Sequence, residues 1–174
     1  MRTVLFIFGE LNDQDIDWLI ATGKKQKIEK GDILIEQNKQ LSAVFIVLEG
    51  AFGVRVDNQK GKEIAQVGTG EILGEMSLLE ARPPSVTVSA LTASYVLAVP
   101  RRSLEEHLKR EPAFAARFYK ALAMFLSFRL RRLIHSKSKL DDDGESGVDE
   151  LDSNVLDTVY LAGARFDRML KRLS

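Results

Sequence analysis

Between residues 28 and 100 the chain breaks into short segments rich in valine and isoleucine, with glycines at the breaks: DILIEQ, AVFIVLEG, AFGVRVDN, KEIAQVG, SVTVSAL and SYVLAVP. This pattern limits the fold more than any other feature of the sequence. Phe52, Val54 and Val56 alternate with Gly53 and Arg55, and Val86, Val88 and Ala90 alternate with Ser85, Thr87 and Ser89. Period-two alternation marks half-buried strands. Gly31, Gly50, Gly61, Gly68, Gly70 and Gly74 fall where the chain must turn sharply. Many short strands with glycine corners predict an antiparallel barrel or jelly roll.

Helical patterns flank the strands. Asn12 with Asp15 three residues on is a capping-box-like start, Ile16, Leu19 and Ile20 form an apolar stripe beside Trp18, and Gly23 is a stop. After the strands, Ser103-Leu-Glu-Glu106 reads as a second capping box. Pro112 fits the first turn of a longer helix running to about Lys139. Its apolar face carries Phe114, Phe118, Leu122 and Phe125, and at 1.5 Å per residue it would be about 40 Å long, beyond a compact barrel. The predicted class is mainly β with flanking helices (α+β): an antiparallel jelly-roll β-barrel with an N-terminal helix and a long C-terminal dimerisation helix. Residues 141–150, DDDGESGVDE, carry six acids and no base and read as a flexible linker. Leu151, Val155, Val159, Ala162, Phe166, Met169 and Leu173 then fall on one helical face that needs a surface to lie against. The expected division is 1–140 for the barrel and long helix, 141–150 for the linker and 151–174 for the amphipathic helix.

Composition narrows the function classes. Lys+Arg and Asp+Glu are both 25, so no net field draws the chain to DNA or to an anionic membrane. The 174 residues include no cysteine, which excludes disulfides and thiolate metal sites. The apolar run from Val4 to Phe8 is too short for a signal peptide, and no stretch approaches the ~20 residues that span a bilayer. The expected setting is cytoplasmic.

One segment, GEILGEMSLLEARPPSVTV (70–88), carries chemistry. Gly74 lets backbone approach a ligand closely. The N–H groups from Glu75 to Ser77, at the start of a short helix, have no partner within it and suit an anion. Glu75 can accept from hydroxyl donors, and Ser85 adds an N–H and a hydroxyl.

The order of helix, glycine-cornered strands, short helix and long helix, with Gly31-Asp32 before a strand and FIVLEG ending at Gly50, resembles the cyclic nucleotide-binding domain superfamily. The resemblance covers about residues 10–135 and is most specific at 70–88. Gly74-Glu75-Met76-Ser77-Leu78-Leu79 is similar to the family's F-G-E-L-A-L, and Pro83-Pro84-Ser85-Val86-Thr87-Val88 to its P-R-A-A-T-V. The resemblance implies a cradle for a cyclic phosphate, with Glu75 on a ribose 2′-hydroxyl. It also implies an arginine on the phosphate, and here that position is Pro84, which has neither charge nor N–H. Losing one partner of a buried charge pair costs about 2–5 kcal/mol, or some tens to thousands of fold in affinity. Arg82, on the same loop, and Arg129, on the long helix, are the candidate substitutes. Arg82 also reads as a solvated loop residue, and Arg129 as the partner of an acid on a dimer mate or as a snorkelling side chain. The candidate ligand-binding set is Leu73, Gly74, Glu75, Met76, Ser77, Arg82, Pro84, Ser85 and Arg129, and the implied ligand is a cyclic nucleotide or another phosphorylated small molecule.

Other residues point away from catalysis. His107 and His135 have no nucleophile or metal partner and read as surface residues. The basic run Arg129, Arg131, Arg132, Lys137 and Lys139 reads as a solvated helix end. No nucleophile–base pair, metal cluster or phosphate-binding P-loop is present, so an enzyme is not expected. Only 24 residues follow the acidic stretch, too few for a winged helix-turn-helix, so sequence-specific DNA binding is not expected either. Two functions remain. One is a ligand-sensing module. The other is a ligand-independent scaffold with a degenerate pocket, a parallel homodimer through residues 112–135 and a protein partner for 151–173.

Overall fold

The computed structural model describes residues 8–57, 63–138 and 153–174. Val4–Ile7, Gly61 and the acidic stretch 141–150 lie outside them, as do the side chains of Arg132, His135, Lys137, Val155 and Val159. The element order is α1 (Asp13–Thr22), β1 (Lys24–Ile28), β2 (Ile33–Ile35), β3 (Ala43–Glu49), β4 (Ala51–Arg55), β5 (Glu63–Gly68), β6 (Ile72–Leu73), α2 (Glu75–Glu80), β7 (Thr87–Ala90), β8 (Ser94–Pro100), α3 (Arg101–Arg110), α4 (Pro112–Ser138) and α5 (Ser153–Arg172).

The strands form two antiparallel four-stranded sheets, ordered β1-β8-β3-β6 and β2-β7-β4-β5. This is the expected jelly roll. The apolar patterns of the strands record what covers them. In β4, Phe52 and Val54 point inward while Arg55 is only half-buried, because the outer face of that sheet meets solvent. In β3, five consecutive residues from Val44 to Leu48 are buried. Phe45 and Val47 join the core between the sheets, with Phe52, Val88 and Val96. Val44, Ile46 and Leu48 face the other way, into a second core shared with Leu97, Val99 and the helices. A strand covered on both faces loses its alternation.

β1, the sequence KKQKI, was not expected as a strand. Lys24 to Lys27 are exposed, and β1 is an edge strand held by its ladder to β8, from Lys24↔Ala98 to Ile28↔Ser94. Edge strands need no apolar face, and lysines guard the open side.

The helices pack on the β8–β3 sheet. The capping box of α1 is present as read: the Asp15 N–H donates to Asn12 Oδ1 at 2.9 Å, and the Asn12 N–H to Asp15 Oδ2 at 2.8 Å. The second expected box is not. α3 begins at Arg101 after Pro100, no side chain caps it, and Glu105 and Glu106 pair with Arg101 and Arg102 one turn back. Ser103 therefore lies inside the helix. α4 starts at Pro112 as expected. Phe114, Phe118, Leu122 and Phe125 are all 2% exposed or less and belong to the helical core. They are filled within the chain and do not form a dimer seam. Arg117 of α4 makes a two-point ion pair with buried Asp15, at 2.6 and 2.8 Å.

α5 finds its surface on its own chain. Ala162, Phe166 and Met169 are buried in the helical core, and Phe166 meets Phe8 edge-on at 5.2 Å. A ladder of ion pairs flanks this contact: Arg165 to Asp13, Arg168 to Asp13 and Asp17, and Arg172 to Asp17. The apolar face expected to need a partner is thus covered by α1 and its neighbours, while Tyr160 and Leu161 remain exposed. His107 also departs from the surface reading. It is half-buried and stacks on Trp18 at 3.9 Å with Phe114 beside it, and this burial lowers its pKa. Among the described residues, no helix is long and apolar enough to cross a membrane.

Candidate functional site

The site begins where β6 ends. β6 is only two residues long, paired as Phe45↔Leu73 and Ile46↔Ile72, which fixes Leu73 against the inner core. Gly74 then turns the chain with φ 87° and starts α2. Only glycine adopts this conformation without strain. A Cβ there would also stand 2.5 Å from Leu41 Cδ2. Glu75 and Ser77 point inward and are buried, whereas Met76 is half exposed. α2 ends at Ala81 in a left-handed conformation, and the chain returns through residues 82–86 to β7. Pro84 is buried, and its carbonyl accepts the Asn38 N–H at 2.8 Å. Thr87, also buried, accepts the Gln37 N–H at 3.0 Å and donates to Asp57 Oδ2 at 2.9 Å. These bonds anchor the return strand to the β2 end of the barrel.

The two passes leave a cavity of about 50 Å³ between them. Leu73, Gly74, Glu75, Met76, Ser77, Pro84 and Ser85 line it, with Ile35, Val54, Val86 and Val88 as an apolar floor and Arg129 of α4 on the remaining side. Eight of the nine candidate residues therefore share one cavity. Arg82 does not line it and is exposed. The floor residues were legible only as inward strand positions. This space holds a few water molecules, well below the several hundred Å³ of a site filled by a drug-sized ligand.

Arg129 is the feature that sequence reasoning left most open. Its Nη1 lies 2.8 Å from Glu75 Oε1, joining α4 to α2 across 54 residues of sequence. The guanidinium also sits over the Phe125 ring, 5.4 Å from its centre. The Glu75 side chain is 4% exposed and that of Arg129 27%. Burial pushes the Glu75 carboxyl above its ordinary range, while Arg129 and the N–H groups of Glu75 and Met76 pull it back. Neither alternative weighed for Arg129, a dimer partner or snorkelling, describes this contact, which is internal. The cavity thus has a buried carboxylate that accepts hydrogen bonds and a guanidinium that can donate them, over an apolar floor. The described residues contain no cluster of His, Cys, Asp or Glu that could hold a metal.

These features define a class of protein: a jelly roll with a short helix and its loop folded over a mostly apolar cavity that holds one carboxylate and one guanidinium, bordered by a long helix. The family model for the cyclic nucleotide-binding domain matches residues 25–111, half of the chain, and the chain belongs to that family. It is similar to a cyclic GMP-binding protein C of Dictyostelium discoideum, with 27% identity over 144 residues, covering 81% of this chain and 5% of that protein. Among solved structures, it resembles the N-terminal domain of a transcriptional regulator from Streptomyces coelicolor at 28% identity and TM-score 0.59, covering 84% of this chain and all of that one. It shares the fold of a cyclic nucleotide-binding domain from Methylobacillus flagellatus at 21% identity and TM-score 0.69, covering 82% of this chain and 84% of that one. The chain spans between 5% and 26% of the length of the curated relatives it matches. The family match ends at Glu111, so Arg129 lies outside it.

Proposed function

We propose that this chain is a ligand-sensing regulatory module, not an enzyme, and that its ligand is a cyclic nucleotide or a related phosphorylated small molecule held between Leu73 and Ser85. The observation that carries this reading is the convergence of buried Glu75 and Arg129 on the family's ligand cassette. Glu75 suits a ribose hydroxyl and Arg129 an anionic group. With Pro84 in place of the cassette arginine, affinity falls by some tens to thousands of fold, from micromolar towards millimolar. The cavity of about 50 Å³ is smaller than a nucleotide, so in this reading binding moves α4 or the 82–86 loop outward or leaves part of the ligand in the open mouth. A thermal-shift titration with cyclic AMP, cyclic GMP and linear nucleotides tests the reading. A rise in melting temperature with one of them supports it, and no response at millimolar concentration from folded protein removes it.

The second reading is a ligand-independent dimeric scaffold with a degenerate pocket. It is favoured by Leu130 and Ile134, which are 58% and 57% exposed on the distal part of α4. They would seat a second copy in a homodimer with its seam there and not along the phenylalanine face. Leu130→Asp with Ile134→Asp would convert such a dimer to monomer in light scattering. The cytoplasmic setting and the absence of sequence-specific DNA binding belong to the same proposal.

A further inference from the structure

The second half of α5 carries a concentration of positive charge that the ligand cassette does not use. From Tyr160 to Ser174 it has Arg165, Arg168, Lys171 and Arg172 against a single acid, Asp167. The formal charge of the whole chain is zero, so this excess is local. The apolar stripe of the helix, Ala162, Phe166 and Met169, is buried, with Leu170 and Leu173 packed beside it. At helical spacing Arg165 and Arg172 border the stripe, while Arg168 and Lys171 fall farther round the helix. α1 covers the stripe and supplies matching charges. Asp13 takes Arg165 at 3.0 Å, and Asp17 takes Arg168 at 2.8 Å and also Arg172. Arg165 donates as well to the carbonyls of Phe8 and Gly9, at 3.0 and 3.3 Å. At the far end, Lys25 Nζ donates to the Leu173 carbonyl at 3.0 Å. Lys171 is exposed and stands outside this ladder. A basic amphipathic helix is thus docked with its apolar face inward, and a helix of this kind, when free, lies in the surface of an anionic membrane.

We propose that α5 is a membrane-surface helix kept docked by α1, and that a bilayer containing anionic phospholipid is the partner that takes it from Asp13 and Asp17. The same side chains serve both states. Arginine forks fit phosphate oxygens as well as carboxylates. Phe166, Met169, Leu170 and Leu173 would leave one apolar surface for another. A rival protein helix would have to repeat the spacing of Asp13 and Asp17, whereas a bilayer offers anionic head groups at every register over an apolar layer. The acidic residues 141–150 precede α5 in the sequence, and its four cations run from Arg165 onward. Arg165 stands about 18 Å along the helix from Ser153, about two Debye lengths at physiological salt, so charges near that end do not cancel it. Both states use one apolar stripe, so docking and lipid binding exclude each other. The apparent lipid affinity is then scaled by the undocked fraction of α5. This inference goes beyond the ligand site and does not depend on it.

The test is co-sedimentation of the full chain with vesicles of phosphatidylcholine alone and of phosphatidylcholine with phosphatidylserine. It compares the parent with Asp13→Asn plus Asp17→Asn and with Arg168→Gln plus Arg172→Gln. Both double variants delete ion pairs of the same ladder, so hydrogen exchange along 160–172 should quicken in both. Lipid binding should move in opposite directions. The aspartate variant should bind phosphatidylserine vesicles on the order of tenfold more tightly than the parent, because docking loses its charges while α5 keeps its own. The arginine variant should bind them on the order of thirtyfold more weakly than the aspartate variant, which puts it below the parent. Neither should sediment with phosphatidylcholine alone. Faster exchange in the aspartate variant without a gain in phosphatidylserine binding overturns the proposal and leaves α5 a structural element. Unchanged exchange in that variant shows that Asp13 and Asp17 do not hold α5 and overturns the competition. Equal binding to both kinds of vesicle overturns the charge reading. Binding of soluble polyglutamate but of no vesicle assigns the helix to an acidic protein and overturns the lipid partner.

Discussion

Replacing Arg129 with glutamine leaves the Glu75 carboxyl in place, 4% exposed and without its cation. Breaking a buried pair from one side costs about 3–5 kcal/mol when the remaining charge cannot escape. Two features of this pair bring the cost to the bottom of that range or just below it. Arg129 is 27% exposed, so part of its charge is already solvated, and the N–H groups of Glu75 and Met76 still favour the carboxylate. A loss of about 2–3 kcal/mol at neutral pH is expected. The loss depends on pH in a definite direction. The folded-state pKa of Glu75 is raised, first by burial, so the folded protein holds this proton more tightly than the unfolded chain. Stability from this group is fully present below the ordinary carboxylate value of about 4.3 and falls as pH rises through the raised folded value. Removing Arg129 raises the folded value further, so the gap between variant and parent widens with pH and closes in acid. Urea denaturation of both proteins at acidic and neutral pH measures the gap. A cost below about 0.5 kcal/mol, or one equal at both pH values, would refute the pairing as described.

Further outcomes follow from other contacts. Gly74→Ala places a Cβ against Leu41 at a left-handed position and should cost about 1–2 kcal/mol, read as a lower melting temperature. Phe166→Ala empties the contact with Phe8 and should cost about 3–5 kcal/mol, with faster hydrogen exchange along 160–172. Molar salt should leave α5 docked, because its partly exposed Arg–Asp pairs are worth only about 0–1 kcal/mol each and Phe166 and Met169 carry the contact. Circular dichroism that showed α5 lost in salt alone would reverse that ranking.

What could be read in the sequence depended on the range of each signal. The strands β4 and β7 announced themselves because one face is apolar and the other polar. The first capping box was legible because its two bonds join residues three apart. The Ser103 pattern misled because Arg101 and Arg102 offered Glu105 and Glu106 closer partners in a helix that had already begun. β1 was invisible, since an edge strand is fixed by the ladder of its neighbour and not by its own side chains. The phenylalanine face of α4 was visible as apolar, yet nothing local could say whether α1, α5 or a second copy would cover it. The same limit applied at the site. The cassette was recognisable from Gly74 to Val88, but the Arg129–Glu75 contact depends on how α4 crosses the barrel. Arg82 reads from the sequence as a substitute cation or a solvated loop residue, and the loop carries it outward into solvent.

In the proposed function the cavity lined by Glu75 and Arg129 seats an anionic ligand although the cassette has proline at position 84. Isothermal titration of the full chain with cyclic AMP and cyclic GMP tests it most directly. A saturable heat with one site per chain is expected for at least one of them, weaker than micromolar because of Pro84. A folded protein that gives only heats of dilution with both, at millimolar ligand, would contradict it.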